Sequence, residues 1–153
     1  MGFAKLSLKG RALKLLSARE HSRAELEKKL APHEEIPGEL AQALDELQVK
    51  GFISEARVVE SVLHRRAARL GASRVKQELQ AKGISPEAVD QAVQTLRATE
   101  VERAREVWRR KFGAPAPDPA GRARQMRFLA SRGFGAEAIR RVVRGEDDGE
   151  GVC

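Results

Sequence analysis

SRVKQELQAKGISPEAVDQAVQTL, residues 73–96, spells two short helices joined by a tight corner. Ser73 is a candidate N-cap, and Val75 and Leu79 stand one helical turn apart. Lys82-Gly83 closes the first helix, because glycine is free to take the left-handed conformation that helix C-termini favour. The chain restarts at once. Ser85 caps, Pro86 takes the first helical position where its missing N–H is harmless, and Val89, Val93 and Leu96 mark one face of the second helix.

The unit recurs on both sides. Downstream, Leu129, Arg132-Gly133-Phe134, Glu137-Ala138-Ile139 and Val143 repeat the order of Leu79, Lys82-Gly83-Ile84, Glu87-Ala88-Val89 and Val93. Upstream, Glu25-Leu26 and Lys29-Leu30 match Glu78-Leu79 and Lys82-Gly83; after an insertion around Ala31 to Glu35 come Pro37, Leu40, Leu44 and Leu47. The repeat length is roughly fifty residues, at the upper end of the solenoid range. One amphipathic unit buries its apolar face poorly, so tandem copies are expected to stack into one elongated all-α body. The expected units are three three-helix repeats over residues 1–53, 54–98 and 99–145, followed by an acidic, disordered tail over 146–153.

Composition agrees with helix. Aromatics are only 4% and there is no Tyr, so cores should be Leu, Val and Ala packed between helices. Charge is the louder signal: 29 Lys plus Arg against 22 Asp plus Glu give +7, which suits nucleic acid or an acidic protein groove. No long apolar run suggests a membrane segment, and MGFAKLSLKGR lacks the apolar centre of a secretory signal. A cytoplasmic, monomeric protein is the expectation. Cys153 has no second thiol to pair with and receives no role.

In chain order, the first helix is expected from about Leu8 to Ala18, with Leu13 and Leu16 inward. Ser22-Arg23-Ala24-Glu25 is a capping box, preceded by His21, which is read as solvent-facing or capping rather than a metal ligand. After Pro37 a helix ends at Gly51. Ser54-Glu55 then opens a long helix through Leu70. Thr99-Glu100-Val101-Glu102 reads as another capping box, on a helix whose Trp108 is assigned to the core rather than to base stacking. Residues 113–119 read as a proline loop, whose Asp118-Pro119 caps helix eight.

Between Arg57 and Lys82 the acids are only Glu60 and Glu78, against Arg57, Arg65, Arg66, Arg69, Arg74, Lys76 and Lys82. That excess spans one helix and the start of the next, so its two ends can line a single patch. Arg122, Arg124, Arg127 and Arg132 make helix eight basic, and Arg140 and Arg141 continue the charge in helix nine. These thirteen cations are the candidate binding residues for acidic protein surface or DNA backbone.

With these residues in view, the chain resembles the RecX family of bacterial recombination regulators over about residues 8–145. The resemblance is carried by Ser22-Arg23-Ala24-Glu25-Leu26 through Lys29-Leu30, by Lys50-Gly51-Phe52-Ile53-Ser54-Glu55-Ala56-Arg57, by Gln77-Glu78-Leu79 to Lys82-Gly83-Ile84, and by Phe128-Leu129 to Arg132-Gly133-Phe134 with Ile139-Arg140-Arg141-Val142. Val58 departs from it, standing where the family usually places an aromatic. The resemblance implies three tandem three-helix units in an extended, curved array. It also implies binding to the RecA recombinase filament on single-stranded DNA, with inhibition of ATP hydrolysis, strand exchange and the coprotease role.

Two other classes compete. Ser22 to Leu30, Leu40 to Leu47 and Gly51-Phe52-Ile53 can be read as a winged helix-turn-helix, a direct DNA-binding regulator; against it, the residues after Ile53 look helical and the would-be recognition helix carries several acids. An enzyme is the third class and is poorly supported. No phosphate loop of the GxxxxGKS type, His-Glu-x-x-His or Cys-x-x-Cys occurs, so neither catalytic residues, cofactor nor metal is expected.

Overall fold

Side-chain caps start five of the nine α-helices found among residues 6–145, the part of the chain that the computed structural model describes. Ser7 opens α1 (Leu8–Ala18), Ser22 opens α2 (Arg23–Leu30), Ser54 opens α4 (Glu55–Arg66), Ser85 opens α6 (Pro86–Arg97) and Asp118 opens α8 (Pro119–Ser131). Each side-chain oxygen accepts a first-turn N–H that the helix itself leaves unpaired. The others are α3 (Glu39–Val49), α5 (Ala72–Ala81), α7 (Glu100–Lys111) and α9 (Ala136–Arg144). A short 3-10 turn, Ala31–His33, follows α2.

Three separate apolar clusters divide these helices. Leu26, Leu30, Leu44 and Leu47 centre the first, among α1, α2 and α3. Val62, Val75, Leu79 and Val89 centre the second, among α4, α5 and α6. Ala104, Leu129, Ile139 and Val142 centre the third, among α7, α8 and α9. Each fully buried Leu or Val contributes about 1.5–3 kcal/mol, so every repeat carries a core of its own. The fold is all-α, in three tandem three-helix repeats.

Within the second and third repeats, a glutamate at the start of the first helix holds the start of the third. Glu55 accepts from the backbone N–H of Ser85 at 2.7 Å and from its hydroxyl at 3.0 Å. Glu100 accepts from Gly135 N–H at 3.2 Å and, with its other oxygen, from Ala72 N–H at 2.7 Å. One carboxylate thereby ties the beginnings of α5, α7 and α9 together.

Between repeats a single geometry is used twice. The turn joining the second and third helices of one repeat lies against the N-terminus of the second helix of the repeat before it. At the first seam Ser22 Oγ donates to Lys82 O at 2.6 Å, and a Cβ on Gly83 would stand 2.7 Å from the Ala24 methyl. At the second, Gly71 N–H donates to Arg132 O at 2.7 Å and Ser73 N–H to Gly133 O at 3.3 Å. Gly133 has φ +90°, and a Cβ there would lie 2.7 Å from Arg74 N, so both conformation and closeness require glycine.

The two seams are secured by different chemistry. Glu25 accepts from Arg19 at 2.9 Å, from Ser22 N–H at 2.9 Å and across the first seam from Lys82 at 3.2 Å. Burial pushes its carboxyl up, but those three hydrogen bonds outweigh it and hold the pKa down to about 2. The second seam is locked by Arg103, whose guanidinium donates to the carbonyls of Ala67 (2.8 Å), Leu70 (2.7 Å) and Leu96 (2.7 Å). Burial lowers its pKa, and the nearby Glu100 carboxylate opposes that.

Several sequence expectations change. Ser73 is not the cap of α5: Gly71 is, because a side chain there would collide with the facing turn. Thr99 forms no capping box; it accepts from Arg103 Nε at 3.1 Å, while Glu100 reaches outward to the other helices. The helix after Ser54 ends at Arg66, leaving Leu70 in the turn whose carbonyls Arg103 takes. Leu13 and Leu16 do pack against the first core, half-buried, but the fully buried residues of α1 are Leu8 and Ala12. His21 is buried, at 2% exposure: its Nδ1 donates to Arg19 O at 3.0 Å, and Nε2 accepts from the Lys29 ammonium at 3.2 Å. Burial lowers its pKa. The upstream repeat match also slips by one turn, since Leu26 and Leu30 occupy the helix positions of Val75 and Leu79. A four-residue slip preserves an apolar stripe of period 3.6, which is why the two registers look alike in sequence. The expected disordered tail lies outside the described residues.

Candidate functional site

The structure sends the thirteen candidate cations to different tasks. Arg57 donates to Glu20 at 2.8 Å and to Gly51 O at 2.7 Å, closing the seam between the first two repeats. Lys82 is bonded to Glu25 as described, and Arg74 donates to Ser131 O at 2.6 Å across the second seam. Arg66 donates to Glu78 at 3.1 Å, with Arg65 at 4.0 Å from the same carboxylate. Lys76 is half-buried on α5. Arg122, Arg124, Arg127 and Arg140 are exposed on α8 and α9, and Arg141 pairs with Glu137 at 3.4 Å. Arg124 lines a hollow beneath the proline loop, apart from the others.

Arg69 and Arg132 are brought together. Arg69 stands in the α4–α5 turn and Arg132 just beyond α8, and between them opens a groove of ≈ 300 Å³ at the seam of repeats two and three. The last turn of α7 supplies two further cations to it, Arg110 and Lys111, and Val107 and Phe128 form its floor. Lys111 Nζ stands 5.3 Å and Arg132 Cζ 4.9 Å from the centre of the Phe128 ring, and Phe112 meets that ring edge-on at 5.4 Å. The negative face of the ring orients both cations at little entropic cost. Among the described residues no carboxylate lines the groove, and Arg110 alone of its cations reaches one, Glu106 at 3.2 Å.

That arrangement suits a phosphate or a carboxylate. Guanidinium forks and an ammonium converge on a partly apolar floor, so each charged contact forms where less water competes. A larger groove, ≈ 720 Å³ between α2 and α5, is electrostatically mixed: Lys28, Lys29 and Lys82 share it with Glu25 and Glu78. Trp108 spends its polar handle inside the protein, donating from Nε1 to the buried Gln125 at 2.9 Å, as befits a core residue. Among the described residues no group of His, Cys, Asp or Glu side chains could hold a metal ion, and no helix is long and apolar enough to cross a membrane.

Sequence reasoning missed Arg110, Lys111 and Phe128. The signal present was the run Arg109-Arg110-Lys111-Phe112, a cluster of cations at a helix C-terminus, where the macrodipole also favours them.

Comparison with known proteins places this geometry. Family models described as the first, second and third three-helix domains of RecX match residues 9–47, 54–93 and 98–143. A relative from Leptothrix cholodnii, named regulatory protein RecX, is 58% identical over 139 residues, 91% of this chain and 88% of its own. Another from Herminiimonas arsenicoxydans, of the same name, is 48% identical over 150 residues, covering 98% of this chain and 99% of its own. The solved structure of RecX from Lactobacillus salivarius superposes with a TM-score of 0.74 at 18% identity, over 90% of this chain and 93% of that one. A further crystal structure of regulatory protein RecX gives a TM-score of 0.74 at 19% identity, over 91% of this chain and 72% of that one.

Proposed function

The chain belongs to the RecX family, and on that premise we propose that it is a non-enzymatic cytoplasmic regulator, which binds the RecA filament on single-stranded DNA and inhibits its ATP hydrolysis, strand exchange and coprotease role. The observation that carries this is the groove at the second seam, which Arg69, Arg110, Lys111 and Arg132 line together with Phe128 and, among the described residues, no carboxylate. A monomeric rod with such a groove, and with Arg122, Arg124, Arg127 and Arg140 exposed beyond it, can meet several anionic groups of a helical filament at once. Acidic filament surface and DNA phosphate are the groups it addresses, without base recognition.

Single-stranded-DNA-dependent ATP hydrolysis by RecA, titrated with this protein beside a binding titration on the same bare DNA, tests the reading. Hydrolysis should fall at amounts well below the recombinase, where bare DNA is hardly bound. A fall that only follows the coating of bare DNA would assign the effect to competition for DNA and refute action on the filament. The winged helix-turn-helix alternative finds no support in the fold, since residues 55–66 form α4 where a wing needs a hairpin.

A further inference from the structure

We propose that the chain's own acidic segment, residues 146–150 (EDDGE), docks in the Phe128 groove and competes there with the anionic groups of a partner. The competition rests on the function proposed above; the position of the segment does not.

Charge is the first argument. The groove offers Arg69, Arg110, Lys111 and Arg132, with no carboxylate among the described residues of its lining. Residues 146–153 contain Glu146, Asp147, Asp148 and Glu150 and no base; taking those four from the 22 acids leaves 18 against 29 Lys plus Arg in the rest of the chain. The densest anionic stretch of the sequence therefore follows a body with a large cationic excess, and effective concentration favours an intramolecular partner over an external one of equal charge.

Placement is the second. The Glu100 carboxylate, on the first residue of α7, accepts the Gly135 N–H immediately before α9. The two helices therefore set out from one point, and they pack against each other. With nine residues, α9 rises about 13.5 Å, which brings Arg144 level with the third turn of α7, near Arg110 and Lys111. Gly145, at φ 77°, then turns the chain out of the helix. The five residues 146–150 reach at most about 16–18 Å when extended, about one and a half helix diameters, so the segment can pass the end of α7 and enter the groove.

Cys153 is the only cysteine and accepts a nitroxide label in the full chain. Paramagnetic broadening of backbone amides is then recorded at low and high salt, for the native segment and for the variant Glu146→Gln, Asp147→Asn, Asp148→Asn, Glu150→Gln. Arg69 and Arg132 are the diagnostic amides, because both line the groove and neither belongs to α9. We expect them to be broadened at low salt and to recover both at high salt and in the neutralised variant. Broadening that ignores salt and neutralisation, or that spares Arg69 and Arg132, overturns the docking.

A second measurement separates docking from a general charge effect. Affinity for a labelled single-stranded oligonucleotide should rise about fivefold or more on neutralising the segment at low salt. That gain should shrink below about twofold when Arg69→Gln and Lys111→Gln are also present. An equal gain in both backgrounds refutes the groove as the site. Salt-sensitive broadening in a protein that binds neither oligonucleotide nor filament would leave the docking standing and overturn the competition together with the proposed function.

Discussion

Replacing Gly71 by alanine should part the second and third repeats. The residue has φ −79° and ψ 169°, an ordinary extended conformation, so alanine suffers no backbone strain there. The new Cβ would, however, fall well under 3.0 Å from the Gly133 carbonyl and Phe134 N, atoms of the facing backbone that cannot swing aside. Relief requires the repeats to separate by about 1 Å. That stretches the bonds from Gly71 N–H to Arg132 O (2.7 Å) and from Ser73 N–H to Gly133 O (3.3 Å) beyond useful length. At about 1 kcal/mol each, with a further few tenths to 1 kcal/mol for a poorer N-cap, the loss is about 2–3 kcal/mol. Gly51→Ala is the control: Gly51 has φ +85° and open space around it, so only left-handed strain of about 1–2 kcal/mol applies. Urea unfolding followed by circular dichroism reports all three repeats, while fluorescence of Trp108, the only tryptophan, reports the third. In Gly71→Ala the fluorescence transition should move to lower urea than the dichroism transition; in Gly51→Ala the two should move together. A Gly71→Ala chain no less stable than Gly51→Ala, with coincident transitions, would refute close approach as the basis of the seam.

Glu100→Ala should remove the caps of α5 and α9 together and cost about 2–3 kcal/mol in urea unfolding, well above the effect of Glu106→Ala, whose exposed pairs are worth little. Glu25, whose side chain is 15% exposed, has a folded pKa of about 2 against an ordinary 4.5. Its contribution, at most about 3 kcal/mol, is complete above the ordinary value and is lost as pH falls from there towards 2. Glu25→Gln should flatten the urea midpoint across that window. His21 acts at higher pH: its folded pKa is lowered from 6.5, so the unfolded chain takes up the proton first, and stability should begin to decline as pH falls through 6.5. His21→Gln should abolish that limb. Finally, Arg69→Gln, Arg110→Gln and Lys111→Gln together should raise the amount needed to inhibit RecA ATP hydrolysis by about tenfold or more and flatten the salt dependence of oligonucleotide binding, without moving the unfolding midpoint. Lys82→Gln should do the reverse, lowering the midpoint through its lost bond to Glu25.

Helix starts were legible where a cap needs only a side chain and a nearby N–H. Ser22, Ser54, Ser85 and Asp118 all cap where their spacing predicts. Ser73 and Thr99 have equally good local spacing, yet at each a distant partner decides: the Gly133 turn displaces the first and Arg103 engages the second. The cationic surface was less legible for the same reason. Charge counted along the chain does not say whether a guanidinium meets an acceptor far off in sequence, and Arg57 finds Glu20 while Arg74 finds Ser131 O. The groove is assembled from three separated stretches, within 68–69, 107–111 and 128–132, and only Arg110-Lys111 puts two of its cations side by side in sequence.

Where the repeats depart from one another follows from the seams. In the second and third repeats the turn after the second helix must fit against the helix start of the preceding repeat, so it is held to Lys82-Gly83 and Arg132-Gly133, each glycine at positive φ. The corresponding turn of the first repeat faces no earlier repeat among the described residues. There the chain carries an insertion instead, with the 3-10 turn Ala31–His33, Pro37 and Gly38, and Glu34 accepting the Leu40 N–H at 2.8 Å in place of a cap on α3. At the other end, the start of α8 meets no following turn among the described residues, and it is the one second helix preceded by a proline loop, with Asp118 Oδ1 accepting Gly121 N–H at 2.7 Å. Repeat symmetry is thus enforced by contact and relaxed where contact ends, so substitutions at Gly83 and Gly133 carry a structural cost that insertions at 31–38 or 113–118 do not.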